Sequence, residues 1–500
     1  MINGGFYMKR TFSLLLMLCL TVSVCLSFAS CGDQSDIPTD LKYSGEKITF
    51  LTCGVNPTYE SEILPNNYEE ETGLKKELPE SLNADLQKRR DIVVSTLGVD
   101  FEEVKIYEQN RPKNKMYETI VNAQASGAVS YDVVVPCIYD AAILAQESLF
   151  YNLNKIPELD IKAEWWNQEF NEQMTFNGQL YFTIGELGHL NKNNSAALYF
   201  NLDLWKTQNL SEEFGGTPYD LVRQGKWTLD LVIEATRSVP SEDLNGDGVI
   251  KFNDKYGWAG QDDDLWSLFY GAGERIAKIG DGQEPYISMY NTRSNRLMTM
   301  IQDLTQDDDY YIRANDYFGQ TSTEWPTEEL QKDFATGKCL FFNDVVGGII
   351  SISKDMEAHF GVVPEPKYEA KQETYHSLIN PWNATCYAIP SYVRADRLPM
   401  IAEVLDLMGK TSLETTSVSY ADILNYMKTR DDDSKDMLNE YILPNRACDI
   451  GMVYRWGDLQ NFLQQMGQNA KGTFGSQFQR LKSKANQDLK MTVDFFKANA

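Results

Sequence analysis

Residues 131–150 read YDVVVPCIYDAAILAQESLF. Tyr131 to Val135 is a short, mostly apolar run, as a buried strand requires, and Ala141 to Ser148 returns to helical spacing. The same alternation extends upstream. EKITFLTC (46–53) alternates and then turns apolar, which predicts a first buried strand. Leu82, Leu86, Val93 and Leu97 set a helix over 81–97, with Pro79 harmlessly outside it. Residues 101–106 (FEEVKI) read as the next strand, and KMYETIVNAQAS (115–126) as a helix stopped by Gly127. Strands that are apolar on both faces and alternate with helices predict an α/β fold, built on a mainly parallel sheet covered on both sides. From Ala196 the pattern starts again: a strand AALYF, then the segment Leu202 to Lys206, then a helix from Thr228, whose hydroxyl suits an N-cap. Residues 338–342 and 361–364 read as short strands, and the last fifty residues as helical.

The chain has 500 residues, enough for at least two domains. Its 72 acidic against 46 basic side chains give a net charge of −26. So acidic a surface repels phosphate backbones and anionic headgroups, which excludes nucleic acid as a partner. Apolar residues make up 42% and charged residues 24%, a globular balance.

Lys9-Arg10, the apolar stretch from Phe12 to Phe28 and Ala29-Ser30-Cys31 have the layout of a secretion signal. That stretch carries Ser13, Thr21, Ser23 and Ser27 and falls short of the roughly 20 apolar residues of a membrane span. Phe28-Ala29-Ser30-Cys31 resembles the lipobox of bacterial lipoproteins, with Phe28 where Leu is usual. The resemblance implies a signal over 1–30, removed before Cys31, whose thiol carries the lipid. Residues 31–44 are polar and read as a tether. The protein is thus expected outside the cytoplasmic membrane, held to it by the lipid alone. Cys53, Cys137, Cys339, Cys386 and Cys448 contain no CxxC pair and mostly sit in apolar runs, so they read as buried small hydrophobes.

Residues 243–254 (DLNGDGVIKFND) follow a calcium-loop pattern. Asp243, Asn245 and Asp247 supply side-chain oxygens at positions 1, 3 and 5, Gly248 allows the sharp turn, Val249 offers its carbonyl, and Asp254 closes the set. Calcium is therefore the expected cofactor, in a structural role, since KYGW (255–258) does not read as a second amphipathic helix. Catalytic patterns are thin. His189, His359 and His376 have no paired metal spacing, and no nucleophile elbow, phosphate loop or dinucleotide fingerprint appears. Asp262-Asp263-Asp264 and Asp307-Asp308-Asp309 read as solvated turns, the first lying between Trp258 and Trp266.

Several stretches, in order, resemble extracellular solute-binding protein family 1, the lipid-anchored receptors of ABC-type carbohydrate importers. They are YDVVV (131–135) with QESLFYNL (146–153), NGQLY (177–181), ALYFNLDLW (197–205), PYDLVRQGKWTLD (218–230), FATGK (334–338) and GVVPEPKY (361–368). Leu202 stands where the family usually has Lys. The resemblance spans about residues 45–460 and implies a two-lobed, periplasmic-binding-protein-like α/β fold with hinge crossings and an interlobe cleft. Crossings are expected near 193–199, 380–388 and 450. Lobe 1 would hold 45–195 and 385–450, and lobe 2 would hold 196–384 and 451–500, with the calcium-type loop 243–254 in lobe 2. The implied function is capture of a small solute, a sugar or oligosaccharide, for delivery to ABC permease subunits, by a monomer and without catalysis.

A pyranose has apolar faces and a rim of hydroxyls, so stacking rings and directed polar groups are the expected lining. Trp382 lies at an expected crossing, and Trp456, beside Arg455, falls where the family places a stacking aromatic. Asn343-Asp344, Tyr139-Asp140 and Asn56 follow expected strands and complete the candidate site. Trp165, Trp166 and Trp227 read as packing residues. The alternatives are an anchored extracellular glycan-processing enzyme, which needs acids facing one another across the cleft, and a glycan-capture surface lipoprotein, which needs an exposed aromatic platform.

Overall fold

The computed structural model describes residues 41–54, 62–65, 80–107, 113–127, 131–323, 325–348, 359–426, 432–469 and 472–499. The expected signal, Cys31, most of the tether and Asn56 lie outside the described residues.

The first sheet has β1 (Glu46–Gly54) between β2 (Val99–Tyr107) and β3 (Val133–Val135), all parallel. Phe50 faces Val133 in register, and Ile48 faces Phe101. The helix Glu80–Leu97 carries the chain from β1 to β2, burying Leu82, Leu86 and Val93. The helix Lys115–Ser126 leads on to β3. Asn114 caps its start by accepting from the Tyr117 amide, and Gly127 closes it at φ 65°, a left-handed turn that a Cβ would strain.

The second sheet is mixed. It contains β4 (Ala196–Asn201), β5 (Tyr256–Gly260), β8 (Tyr311–Arg313), β9 (Cys339–Val345) and β10 (Phe360–Val363), in the order β10-β4-β9-β5-β8; β6 (Ala277–Ile279) and β7 (Pro285–Ile287) form a separate hairpin. β5 is parallel to β8 and β9, but β4 is antiparallel to both of its neighbours. A mainly parallel arrangement thus holds in the first sheet and fails at β4. Right-handed crossover fixes direction only where a helix links strands of one sheet, and β4 is entered straight from the first sheet's side. Thr228 is the N-cap of the helix Leu229–Ser238 but its side chain makes no capping bond; the first helical amide, of Leu229, donates to the Lys367 carbonyl (2.8 Å).

Three chain segments run side by side between the two sheets. β11 (Ser377–Leu378) pairs in parallel with β12 (Arg446–Ala447), and Ser195 bridges Ile379. The Asn380 amide donates to the Asn194 carbonyl and the Ile379 amide to the Ala447 carbonyl, each at 2.9 Å. Past the crossing, Thr385 and Ala388 form antiparallel bridges to Cys137 and Val134, returning the chain to the first sheet.

One core gathers Phe50, Val133, Ile401 and Val404 around the first sheet. Trp205, Trp227, Trp258 and Phe341 pack on one face of the second sheet, and Tyr199, Phe334 and Phe342 on the other. The C-terminal helix Phe474–Ala498 ties the cores together, burying Phe474 and Phe478 in the second and Phe496 in the first. The described cysteines are buried, and none of them forms a disulfide among the described residues.

Glu365, just after β10, is fully buried, and Asn343 Nδ2 donates to its Oε1 at 2.9 Å. Burial pushes its carboxyl up to about 7, against the smaller opposing pull of its hydrogen bonds from Asn343 and Ser267. A carboxyl raised on folding stabilises fully at acidic pH, and that stability is lost as pH rises through the folded value. Glu365→Gln is therefore expected to raise Tm near pH 8, by up to about 3 kcal/mol of stability, and by no more than about 1 kcal/mol near pH 5. Melting curves at the two pH values check this; an equal shift at both would show that no carboxyl titration is involved.

Candidate ligand-binding cleft

A cleft of about 1120 Å³ opens beside the crossings. Its position follows from topology. In α/β sheets the loops leaving the carboxyl ends of strands are free of sheet pairing and gather at one edge. β5 ends at Gly260, and Gln261, Asp262 and Asp263 follow into the wall; β8 ends at Arg313, followed by Asn315 and Phe318. β9 brings in Asp344 and Val345. Trp325 sits just before the helix Thr327–Ala335, and Gln331 comes from its body. Tyr139, on the helix Ile138–Gln146, faces them from the first sheet's side, with the crossing residues Asn380, Trp382 and Asn383 at the base.

Three large aromatics in the wall stay open to solvent: Phe318 (51% exposed), Trp325 (43%) and Trp382 (37%). Trp382 meets Tyr139 edge to face at 5.8 Å, and Phe318 meets Trp325 edge to face at 5.9 Å. Ring surface left in water is what a flat ligand stacks on. Arg455 lies over the Tyr139 ring, 5.3 Å from its centre.

Carboxylates form the polar rim, oriented by side-chain amides. Asn380 Nδ2 and Gln464 Nε2 donate to the two oxygens of Asp263 at 2.8 and 2.7 Å. Gln331 holds Asp344 at 3.1 Å, Gln468 holds Asp262 at 2.5 Å, and Gln460 and Asn461 share one oxygen of Asp458. Burial pushes the carboxyls of Asp263 and Asp344 each up to about 6, and raises that of Asp262. Tyr139 Oη, Asp262 Oδ1 and Gln460 Oε1 are buried on this wall without a hydrogen-bond partner. Arg455 (φ 53°), Gly457 (65°) and Asp458 (62°) all adopt left-handed backbone here. For the two non-glycine residues that costs roughly 1–3 kcal/mol each, a strain typical of sites that aim side chains.

Of the residues singled out from the sequence, Trp382, Tyr139, Asp344 and Arg455 line this cleft. Trp456 does not. It is 1% exposed, stacked on Tyr454 (5.5 Å, 13°), and its indole N–H donates to Thr492 Oγ1. The left-handed turn at Arg455 sends the arginine to the cleft and the neighbouring indole to the core. Asn343 is buried on Glu365, because β9 alternates and its side chain leaves the face that Asp344 takes. Asp140 is also buried and accepts from the Lys113 amide. Asp262-Asp263-Asp264 is no solvated turn. Asp264 is buried against the Tyr311 hydroxyl at the start of the helix Asp264–Gly271, and the first two acids line the cleft. Phe318, Trp325, Gln331, Gln460 and Gln464 were not legible as site residues, and for the acidic run the only signal was its flanking tryptophans.

The 243–254 loop lies apart from this cleft. Asp243 accepts from the Gly246 and Gly248 amides (2.7 Å each), and Asp254 from the Leu244 and Lys251 amides. Lys251 is ion-paired with Asp247. The oxygen set suits calcium in kind, but among the described residues no group of three or more His, Cys, Asp or Glu side chains is gathered as for a metal ion.

No family model matches the chain, and no curated protein matches it in sequence. Solved structures match it in fold. UspC of Mycobacterium tuberculosis superposes with a TM-score of 0.53 at 14% identity, covering 88% of this chain and 100% of its own. UgpB of Mycobacterium tuberculosis, solved with glycerophosphocholine, gives 0.52 at 14% identity over 90% and 99%. An ABC transporter solute-binding protein of Thermotoga lettingae, bound with alpha-D-tagatose, gives 0.51 at 14% over 89% and 100%. The chain therefore has the two-lobed α/β fold of ABC transporter solute-binding proteins. Among the described residues no helix is long and apolar enough to cross a membrane.

Proposed function

We propose that this chain is an extracytoplasmic solute-binding lipoprotein of extracellular solute-binding protein family 1, which captures a carbohydrate in the cleft and delivers it to the permease of an ABC importer. The observation that carries this reading is the pairing of exposed Phe318, Trp325 and Trp382 with amide-oriented carboxylates in one cleft. Rings cover the apolar faces of a pyranose, and carboxylates accept from its hydroxyls. At about 1120 Å³ the cleft exceeds the roughly 300–1,000 Å³ of ordinary ligand pockets, which favours an oligosaccharide. Lobe 1 (45–195, 385–450) and lobe 2 (196–384, 451–500) close about the crossings, and the closed form is what the permease recognises. An oriented Asp263, with both oxygens taken by amides, suits binding rather than proton transfer to a glycosidic bond.

A ligand at a hundredfold excess over Kd stabilises its protein by about 2.7 kcal/mol. A thermal-shift panel of mono- and oligosaccharides is expected to give such a rise for at least one sugar; no rise with any of them would end the carbohydrate reading. Trp382→Ala and Trp325→Ala are each expected to weaken that binding by about 1–3 kcal/mol in calorimetry, while wild-type affinity in both would move the site elsewhere. Release of polysaccharide fragments would favour the enzyme.

Cys31 is proposed to hold the lipid. Cys31→Ser is expected to move the protein from the membrane fraction to the soluble fraction, and retention in the membrane would remove the lipid from Cys31. We also propose calcium in the 243–254 loop, with Lys251 released from Asp247. Adding calcium after chelation is expected to raise Tm in the wild type and not in Asp243→Ala, and superimposed curves would remove calcium from the loop.

A further inference from the structure

The cleft wall carries Asp262, Asp263, Glu328, Asp344 and Asp458, against Arg455 as its single basic side chain among the described residues. The partners of these acids matter more than their number. Asp263, Asp344 and Asp458 are held by the neutral amides of Asn380, Gln464, Gln331, Gln460 and Asn461. An amide orients a carboxylate and leaves its charge uncompensated. Arg313 is ion-paired both with Asp262, at 3.7 Å, and with Asp316, and Arg455 rests on the Tyr139 ring, so among the described residues neither cation pairs with Asp263 or Asp344. Asp458 and Glu328 are exposed, but Asp263 and Asp344 are drawn from water without a counter-charge, which is costly, and such arrangements gather where a ligand completes them.

Two buried side chains point independently to a missing partner. Gln460 is 3% exposed and gives an amide hydrogen to Asp458, yet its Oε1, an acceptor, has no donor. Tyr139 is 2% exposed, and its hydroxyl is also without a partner. A group rich in donors and free of acceptors meets these needs, and an alkylammonium has three donors and no acceptor. The exposed faces of Phe318, Trp325 and Trp382 attract a cation as well as an apolar sugar face.

We infer that the solute carries a protonated amine: within the carbohydrate class proposed above, on which this inference rests, it is an amino sugar or an oligosaccharide with free amino groups. Uronates and sugar phosphates are rejected by the same carboxylates.

Calorimetry on the purified full-length protein tests this with glucosamine, deacetylated chitotetraose, its N-acetylated counterpart, a galacturonate tetramer and spermidine. The free-amine tetramer is expected to bind about tenfold or more tightly than the N-acetylated one, a preference that shrinks at high salt, and the galacturonate tetramer is expected not to bind. Asp263→Asn and Asp344→Asn, each shown by melting to be folded, are expected to reduce the ratio between the two chitotetraoses. Equal or tighter binding of the N-acetylated or galacturonate tetramer overturns the inference and leaves the carbohydrate reading standing. Binding of spermidine with no sugar bound upholds the cation and ends the carbohydrate reading. If no amine-bearing probe binds, the inference falls.

Discussion

Two backbone hydrogen bonds at the crossing, Asn380 to Asn194 and Ile379 to Ala447, set the geometry on which the cleft depends. They lock three segments that are distant in sequence into one ribbon between the sheets, each satisfying backbone groups that would otherwise be stranded. Everything at the base of the cleft is placed by that ribbon. Asn380 Oδ1 accepts from the Trp382 amide at 3.0 Å, which fixes the turn that presents the indole, while its Nδ2 reaches across to Asp263. A single asparagine thus joins the hinge, the aromatic platform and the acidic wall of the second sheet.

The wall is built by the opposite logic to the core. Trp205, Trp227 and Trp258 are wholly covered, as expected for large apolar side chains, while Phe318, Trp325 and Trp382 keep a third or more of their surface in water. Leaving that area uncovered forgoes roughly 25 cal/mol per Å² of burial. Carboxyls raised by burial add to the cost, as does the left-handed backbone at Arg455 and Asp458. Uncovered rings, oriented charges and strained backbone in one cleft are compatible with folding because the two cores, tied by the C-terminal helix, supply the stability.

Much of the fold was legible because strand and helix periods are local. β1, β3 and the helices Glu80–Leu97 and Lys115–Ser126 lie close to where hydrophobic spacing puts them. The reversal of β4 was not legible, since its direction is set by a crossing between lobes and not by its own residues. For the cleft, residues that follow strands directly, such as Tyr139 and Asp344, were found by that rule. The same rule fails at Asn343 and Asp140, because it selects a position along the chain and not the direction of a side chain. Gln331, Gln460 and Gln464 left no trace, since an amide on a helix reads as ordinary surface until the carboxylate it holds is known.

Trp456 shows what a single backbone conformation decides. Its position by resemblance is that of a stacking aromatic, yet with Arg455 at φ 53° and Gly457 at φ 65° the chain turns sharply on either side of it. The indole points into the first core, where Tyr454 covers its face and Thr492 takes its N–H. At Gly457 a Cβ would come within 2.6 Å of Ala485 on the C-terminal helix, so glycine is required by close packing as well as by its left-handed conformation. The helix that seals Trp456 into the core thus also fixes the turn that sends Arg455 and Asp458 to the cleft, and ring surface there comes from Trp382, Trp325 and Phe318 instead.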